Sequence, residues 1–385
     1  MTIIYPVSEP LKLQKASDAR IMRMAASFAR RGHKIHLLVP GRYGTRKDIL
    51  DYYGIEDLSN LKITLIYALR KNNFLGLSWN FVFHMFSLLK IRQLCMQERV
   101  DIIYLSILKL ASFLNRWRRL IPAGRFIYEL HDLGIYPEMT HPTNKDRRID
   151  RLESEVLPHM DGIIVPTNML AKVVRHRFPS LQCASIPLGT TPDGFKLKPY
   201  QFIKKDSYNL CYIGQLYPAQ GVDILVRACA SVEPIHLHII GGKEKDITEL
   251  QSLVREIGLD KITFHGFVPP SQIWTLVSKM DIMALPARYT VKKNYKAHIK
   301  IYEYLTYGRP IIATAMESTM EELRDGENAV LVKPDDVNSF ADGIKRIINS
   351  PDLAQKIAAG ALESAPVYLW DNRIVKIEEF LKNLS

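Results

Sequence analysis

The chain has 385 residues, 47% hydrophobic and 24% charged, which is too long for one small core and too apolar for a disordered polypeptide, so two α/β domains are expected. Its net charge of +12 is lopsided: residues 1–195 hold 28 Lys/Arg against 17 Asp/Glu, whereas residues 196–385 hold 24 against 23. A one-sided field of this kind suits an anionic surface such as phospholipid or nucleic acid, or simply keeps a domain hydrated; no nucleic-acid recognition motif accompanies it, which argues against that partner.

The four cysteines, Cys95, Cys183, Cys211 and Cys229, are scattered, with no CxxC pair and no neighbouring His at metal-ligand spacing. They predict buried thiols in a reducing compartment. Met1 to Pro6 shows no basic stretch ahead of its apolar residues, so no signal peptide is expected. No 18-residue uncharged apolar run predicts a spanning helix either.

Taken in chain order, short β-rich runs alternate with helical stretches: Ile3-Ile4-Tyr5, Lys34 to Val39, Ile63 to Tyr67, Asp101 to Leu105, Arg125 to Leu130, Ile163 to Pro166 and Ala184 to Pro187. This alternation predicts a parallel sheet covered on both faces. After the first run, Ile21, Met24, Ala25 and Phe28 recur at one-face helical spacing, with Ser17 placed to cap the start and Gly32 the end. The stretch Phe74 to Leu89 carries Phe74, Leu75, Trp79, Phe81, Phe83, Met85 and Phe86, flanked by Arg70, Lys71, Lys90 and Arg92. It predicts the crossover helix before Asp101, packed on its inner side, with a rim that touches lipid together with Arg116-Trp117-Arg118-Arg119. The alternative is a buried crossover helix and nothing more.

Pro192 to Asp206 has no apolar period and reads as a linker, which puts the boundary near residue 200. Strands then restart at Leu210 to Ile213, His236 to Ile240, Ile262 to Phe267, Ile282 to Leu285, Pro310 to Thr314 and Ala329 to Val332, predicting a second doubly wound sheet. Two amphipathic segments follow, Val337 to Ile348 and Leu353 to Leu362. The last, Trp370 to Leu384, has Ile374, Ile377, Phe380 and Leu381 on one face and is free to pack back on the first domain.

Ligands of open parallel sheets bind beyond the carboxyl ends of the strands, so two such sheets facing each other would form a cleft lined by the loops there. The loop Gly214 to Asp223 and the loop Ile240-Gly241-Gly242-Lys243 offer backbone N–H groups and a cation to an anion. In the segment Lys296 to Thr314, Lys300 and Glu303 at i, i+3 set an ammonium that can meet phosphate beside a carboxylate that can accept two vicinal hydroxyls. His131, followed by Asp132 and Gly134, closes the fifth strand of the first series; it is either a ligand-facing imidazole or a core or capping histidine.

Together these runs resemble family 4 of the retaining glycosyltransferases, the group 1 enzymes. The resemblance is carried by Tyr212-Ile213-Gly214, Gly221-Val222-Asp223, Phe264 to Pro269, Lys300-Ile301-Tyr302-Glu303-Tyr304 and Gly326 to Ala329, and more loosely by Ala29 to Ile35, Glu129 to Asp132, Ile186 to Gly189 and the Trp370 helix. It implies the GT-B architecture, an α/β fold of two facing Rossmann-like doubly wound domains. Residues 1–198 with helix 366–385 would bind the acceptor, and residues 199–365 the nucleotide-sugar donor.

The resemblance implies a donor site of Gly214, Gln215, Gln220, Gly242, Lys243, Val268, Tyr295 and Glu303, with Glu303 on the ribose hydroxyls. Three positions depart from the family. Tyr295 stands where a first Glu is expected, and Gln215 and Gln220 stand where Arg and Lys clamp the pyrophosphate. Preordered cations at a departing diphosphate are usually the largest catalytic contribution. Lys300 is the replacement expected, with Lys292, Lys293 and Lys296 just before it; the alternative for this run is a solvated loop. His131 matches a family histidine facing the donor sugar, so His131 and Lys300 are the catalytic candidates. Ser8 to Gln14 and Thr190-Thr191 are expected to line the acceptor or sugar side.

The resemblance further implies retention of configuration with the departing phosphate taking the acceptor's proton, and no metal or other cofactor. The partners it implies are a nucleotide-sugar donor and a surface-glycan or lipid-linked acceptor, and the basic half adds an anionic membrane surface. A cytoplasmic enzyme, peripheral on the inner face of the membrane, is the expectation. Two other functions compete: a catalytically silent GT-B subunit, suggested by Gln215, Gln220 and Tyr295, and a nucleotide-sugar epimerase, which needs cleft carboxylates where only Glu303 is available.

Overall fold

The computed structural model describes residues 1–8, 16–41, 45–67, 79–191 and 200–384. It divides into two compact units, Met1–Gly189 with Trp370–Ser385, and Thr190–Leu369. Thr190 already belongs to the second unit, because it bridges Leu369 and its N–H donates to the Tyr368 carbonyl at 2.7 Å.

The first unit holds strands β1 (Thr2–Pro6), β2 (Lys34–Pro40), β3 (Leu61–Ile66), β4 (Ile102–Leu105), β5 (Arg125–Glu129), β6 (Gly162–Val165) and β7 (Cys183–Ser185). They pair in the order β3-β2-β1-β4-β5-β6-β7, every pair parallel. Each of the seven expected runs is a strand. They were legible because parallel strands buried on both faces must be apolar at consecutive positions, as in β4, where all four residues are buried.

The second unit repeats the plan with β8 (Tyr208–Ile213), β9 (Ile235–Ile240), β10 (Ile262–Gly266), β11 (Ile282–Leu285), β12 (Ile311–Thr314) and β13 (Val330–Val332), in the order β10-β9-β8-β11-β12-β13. Alternate residues feed two cores. Leu210, Tyr212, Ile282 and Ala284 enter one, and Cys211, Ile213, Met283 and Leu285 enter the other. In each sheet the order reverses beside its first strand, between β1 and β4 and between β8 and β11, so the crevice at those carboxyl ends is where a ligand binds in this class of fold.

The helix after β1 spans Ala16–Arg30, so Ser17 lies inside its first turn instead of capping it from outside. Gly32, at φ +84°, ends it as expected: the Gly32 and His33 N–H groups donate to the carbonyls of Ala29 and Phe28. The C-terminal helix Trp370–Lys382 packs on the first unit, burying Trp370, Ile374, Ile377 and Leu381, spaced for one helical face. Ile374 and Ile377 are fully buried, each contributing about 2 kcal/mol by area. Arg31 clamps Glu378 with two bonds of 2.8 Å, His33 reaches the same carboxylate at 2.7 Å, and Arg125 donates to the Leu381 and Leu384 carbonyls at 2.7 Å. Those last two bonds satisfy carbonyls that a helix end leaves open.

The helix Trp79–Gln97 follows β3, and Phe74, Leu75, Arg70 and Lys71 fall outside the described residues. Phe83, Leu88, Ile91 and Leu94 are buried, while Phe81, Phe86, Leu89 and Met96 are exposed. The helix is therefore packed on one side and apolar on the other. Among the described residues no helix is long and apolar enough to cross a membrane. The four cysteines are unpaired, Cys211 and Cys229 buried and Cys95 and Cys183 half-buried.

Candidate active site

In the second unit, the loop after β8 begins at Gly214. A Cβ there would lie 2.4 Å from Lys300 Cε, so only glycine admits the lysine at this point. Gly221, at φ +69°, is fixed in the same way: a Cβ would sit 1.9 Å from the Pro286 carbonyl oxygen. These two glycines press the loop onto the helix Ile299–Tyr307 and onto the end of β11, at the strand-order reversal.

Lys300 is the centre of this arrangement. Its ammonium donates to the Tyr212 hydroxyl at 2.7 Å and to Gln220 Oε1 at 3.2 Å, and it lies 4.4 Å from the centre of the Tyr212 ring. The Tyr212 hydroxyl in turn donates a hydrogen bond to the Gln215 carbonyl at 2.6 Å. Lys293 reaches the same loop, donating to the Ala219 carbonyl. Burial pushes both lysines down, Lys300 to about 7 with repulsion from Lys293 and Lys293 to about 8 with repulsion from Lys296, although Glu303 favours the charge on Lys300 and Asp335 that on Lys293. Two crowded ammoniums resting on neutral oxygens gain from an incoming anion, which restores full charge to both.

The other expected donor residues gather unevenly. Gln220 belongs to the cluster through its side chain, and Gln215 through its backbone, its side chain being exposed. Glu303 lies half-buried on the Lys300 helix, near enough to influence its charge. Gly242 packs over Leu216 of the Gly214 loop, and exposed Lys243 opens the helix Glu244–Ile257. Val268 packs against the core beneath. Tyr295 is buried and ends the short helix Val291–Tyr295, so no carboxylate occupies that place.

Sequence reasoning missed two members. Tyr212 reads as one more strand residue, and its hydroxyl becomes informative only once Lys300 is placed beside it. His298 sits just ahead of the Lys300 helix with a buried Nε2 that has no partner among the described residues. Burial, with Lys293 and Lys300 nearby, pushes its pKa down to about 3, so it presents a neutral ring.

In the first unit, His131 follows β5 and is partly exposed. Its Nε2 lies 3.2 Å from Glu129 Oε1, its Nδ1 lies 3.2 Å from an Arg20 nitrogen, and the same Arg20 nitrogen also touches Nε2. Glu129 is buried; although desolvation acts to raise its pKa, Arg373, His131 and Arg20 outweigh that and hold it near 2. Arg20 and Arg373 read in sequence only as cations interrupting helical apolar stripes. Ser8 is buried after β1, residues 9–14 fall outside the described residues, and Thr190 is buried in the second unit. Among the described residues no cluster of three or more His, Cys, Asp or Glu is arranged to hold a metal.

Residues 195–363 match the family model "Glycosyl transferases group 1", and residues 19–193 match "Glycosyltransferase Family 4". Among curated relatives, a D-inositol 3-phosphate glycosyltransferase of Nocardioides sp. is 26% identical over 189 residues, covering 44% of this chain and 40% of that protein. The chain thus matches well under two thirds of that relative's length. Sucrose-phosphate synthase from Thermosynechococcus elongatus superposes with a TM-score of 0.78 at 16% identity, over 100% of this chain and 99% of the other. Anabaena HepE in complex with UDP superposes with 0.74 at 17% identity, over 100% of both chains. These likenesses give the two-unit GT-B fold.

Proposed function

We propose, from the premise that the chain belongs to the group 1 glycosyltransferases of family 4, that it transfers a sugar from a nucleotide-sugar donor to a glycan or lipid-linked acceptor with retention of configuration. The observation that carries this reading is Lys300, held against Gln220 and Tyr212 at the second unit's strand-order reversal with Lys293 beside it. A donor diphosphate at this place would add the negative charge that Glu303 and Asp335 supply to the two lysines only in part. As the sugar–phosphate bond breaks, charge grows on the leaving oxygen, and a cation already in place stabilises it without reorganisation. Lys300 and Lys293 thereby stand in for the pair that Gln215 and Gln220 replace. Glu303 takes the ribose hydroxyls, and the departing phosphate takes the acceptor's proton, so the chemistry needs no metal.

UDP and UDP-glucose are the first ligands to test, since Anabaena HepE is known in complex with each. A ligand that binds only the folded state raises the unfolding midpoint by mass action, so UDP should shift it upward by several degrees. Glu303→Ala should abolish that shift. A panel of nucleotides and nucleotide sugars that leaves the wild-type midpoint unmoved would sink the donor-site reading.

The acceptor side carries a second, finer proposal: the first unit docks on an anionic membrane. Phe81, Phe86 and Leu89 are exposed on the Trp79–Gln97 helix, Tyr67 lies edge-on to Phe86 at 5.5 Å, and Trp117 and Leu120 are exposed among Arg116, Arg118 and Arg119. Apolar side chains flanked by cations suit the headgroup boundary. The protein should sediment with anionic vesicles and be released by salt; equal sedimentation with neutral vesicles would overturn this.

A further inference from the structure

We infer that Arg373 and Glu129 are positioning residues for His131: the C-terminal helix delivers a guanidinium that fixes a buried carboxylate, and the carboxylate holds the imidazole. The inference rests on the reading of His131 as the histidine that faces the donor sugar.

Three nitrogen-bearing side chains converge on one oxygen atom. Glu129 Oε1 receives Arg373 at 2.9 Å, His131 Nε2 at 3.2 Å and Arg20 at 3.4 Å, while Oε2 accepts the Tyr104 hydroxyl at 2.6 Å. Arg373 is held on every side. Its Nε donates to the Pro187 carbonyl at 2.9 Å, its other terminal nitrogen meets Met24 Sδ at 3.2 Å, and its side chain is 1% exposed, as is that of Glu129.

A buried ion pair is a poor way to gain stability, because well-packed apolar residues of the same volume serve as well or better. The pair is explained by what else touches the carboxylate. Nε2 faces the ionised Glu129 oxygen at 3.2 Å and also meets an Arg20 nitrogen, so the ring is held between a carboxylate and a guanidinium that are themselves fixed. Ring orientation is set before any ligand arrives. The same logic governs imidazoles at metal centres, where a neighbouring carboxylate orients the ring. Glu129 can do this only while ionised, and burial alone would protonate it; Arg373 is the largest influence holding it charged.

The charged and titratable groups in this cluster come from each packed element: Arg20 from the Ala16–Arg30 helix, Tyr5 from β1, Tyr104 from β4, Glu129 from β5 and Arg373 from the C-terminal helix. Asp132, on the segment of His131 itself, is engaged by the Tyr136 hydroxyl at 2.7 Å.

The test uses the full chain labelled with 15N-histidine, with the His131 ring signals identified by their loss in His131→Gln. In Glu129→Gln the ring titration should move to lower pH by about one unit. In Arg373→Met it should move the same way by a smaller amount, because burial then protonates Glu129. A shared downward shift in two folded variants is not expected of residues that merely fill the core. Unchanged ring signals in folded Glu129→Gln would overturn the inference; should Arg373→Met fail to fold, Arg373→Lys takes its place.

A second arm separates this from the donor-site reading. Glu129→Gln should bind UDP within twofold of the wild type, yet turn over UDP-glucose about 100-fold more slowly with KM unchanged; a rise in KM with kcat intact would count against positioning. Failure of the wild type to bind UDP would count against the donor site instead, and the ring comparison would still decide the positioning.

Discussion

At the carboxyl end of the first sheet, Glu129 is ringed by Arg373, Arg20 and His131, while at the carboxyl end of the second, Lys300 and Lys293 rest on the neutral oxygens of Tyr212, Gln220 and Ala219. The two places occupy the same side of the same strand order. One supplies its own counter-charge and is finished without a ligand. The other leaves its two ammoniums on neutral oxygens, and under the proposed function a ligand completes it. On that reading the difference separates a region that orients a group from one that binds an anion.

The largest effect should come from breaking the completed region. Arg373→Leu leaves a buried carboxylate short of its main partner and should destabilise the fold by about 3–5 kcal/mol, measured by urea unfolding. A loss below about 1 kcal/mol would mean that the pair does not hold this region together. Lys300→Met should do the reverse to the apo protein, raising its unfolding midpoint. The same substitution should weaken UDP binding roughly 100-fold, the loss of about 3 kcal/mol expected for a charged hydrogen bond to phosphate. Calorimetry that finds equal UDP affinity in both proteins would remove Lys300 from the donor site.

The two regions should also fail at opposite ends of the pH scale. A diphosphate raises the lysine pKa values from about 7 and about 8, so its affinity is complete below pH 7 and is lost as the pH climbs through the raised values. UDP should bind roughly tenfold more weakly at pH 9 than at pH 6, with protons taken up between; a flat profile would show the lysines already charged or uninvolved. The depressed Glu129 has the opposite sign. Its stabilisation is complete above the ordinary carboxylate value of ~4.3 and is lost as the pH falls toward 2.

The smallest of these effects belongs to Tyr212→Phe. It removes a neutral oxygen that steadies the Lys300 ammonium, and should weaken UDP binding about fivefold, the worth of about 1 kcal/mol. No change would mean that Lys300 is held by Gln220 and packing alone.

The fold was legible because its physics is repetitive. The central strands, such as Ile102–Leu105 and Ile282–Leu285, were apparent from consecutive apolar residues, and the Trp370 stripe from its 3.6-residue period. Site chemistry was legible where a residue type has few structural uses, as with Lys300 at the start of a helix. It was illegible where a residue acts through a partner distant in sequence. Arg373 is 244 positions from Glu129, and Tyr212 is 88 from Lys300, so periodicity carries no trace of either pairing. Lys293 is the instructive middle case. Sequence leaves it between a cation for the phosphate and a solvated loop residue, and a five-residue helix turns it inward onto Ala219.

The return of the C-terminal helix to the first unit sets an order on biosynthesis. Residues 370–384 leave the ribosome only after the whole of the second unit, yet Trp370, Ile374, Ile377 and Leu381 fill a core whose other walls come from residues 3–186. A nascent chain stopped anywhere short of residue 370 therefore carries a first unit with an open apolar seam along the Ala16–Arg30 helix and a Glu129 without its main partner. The first half to be translated is the last to be finished, and until then it is the part of the molecule most in need of a chaperone.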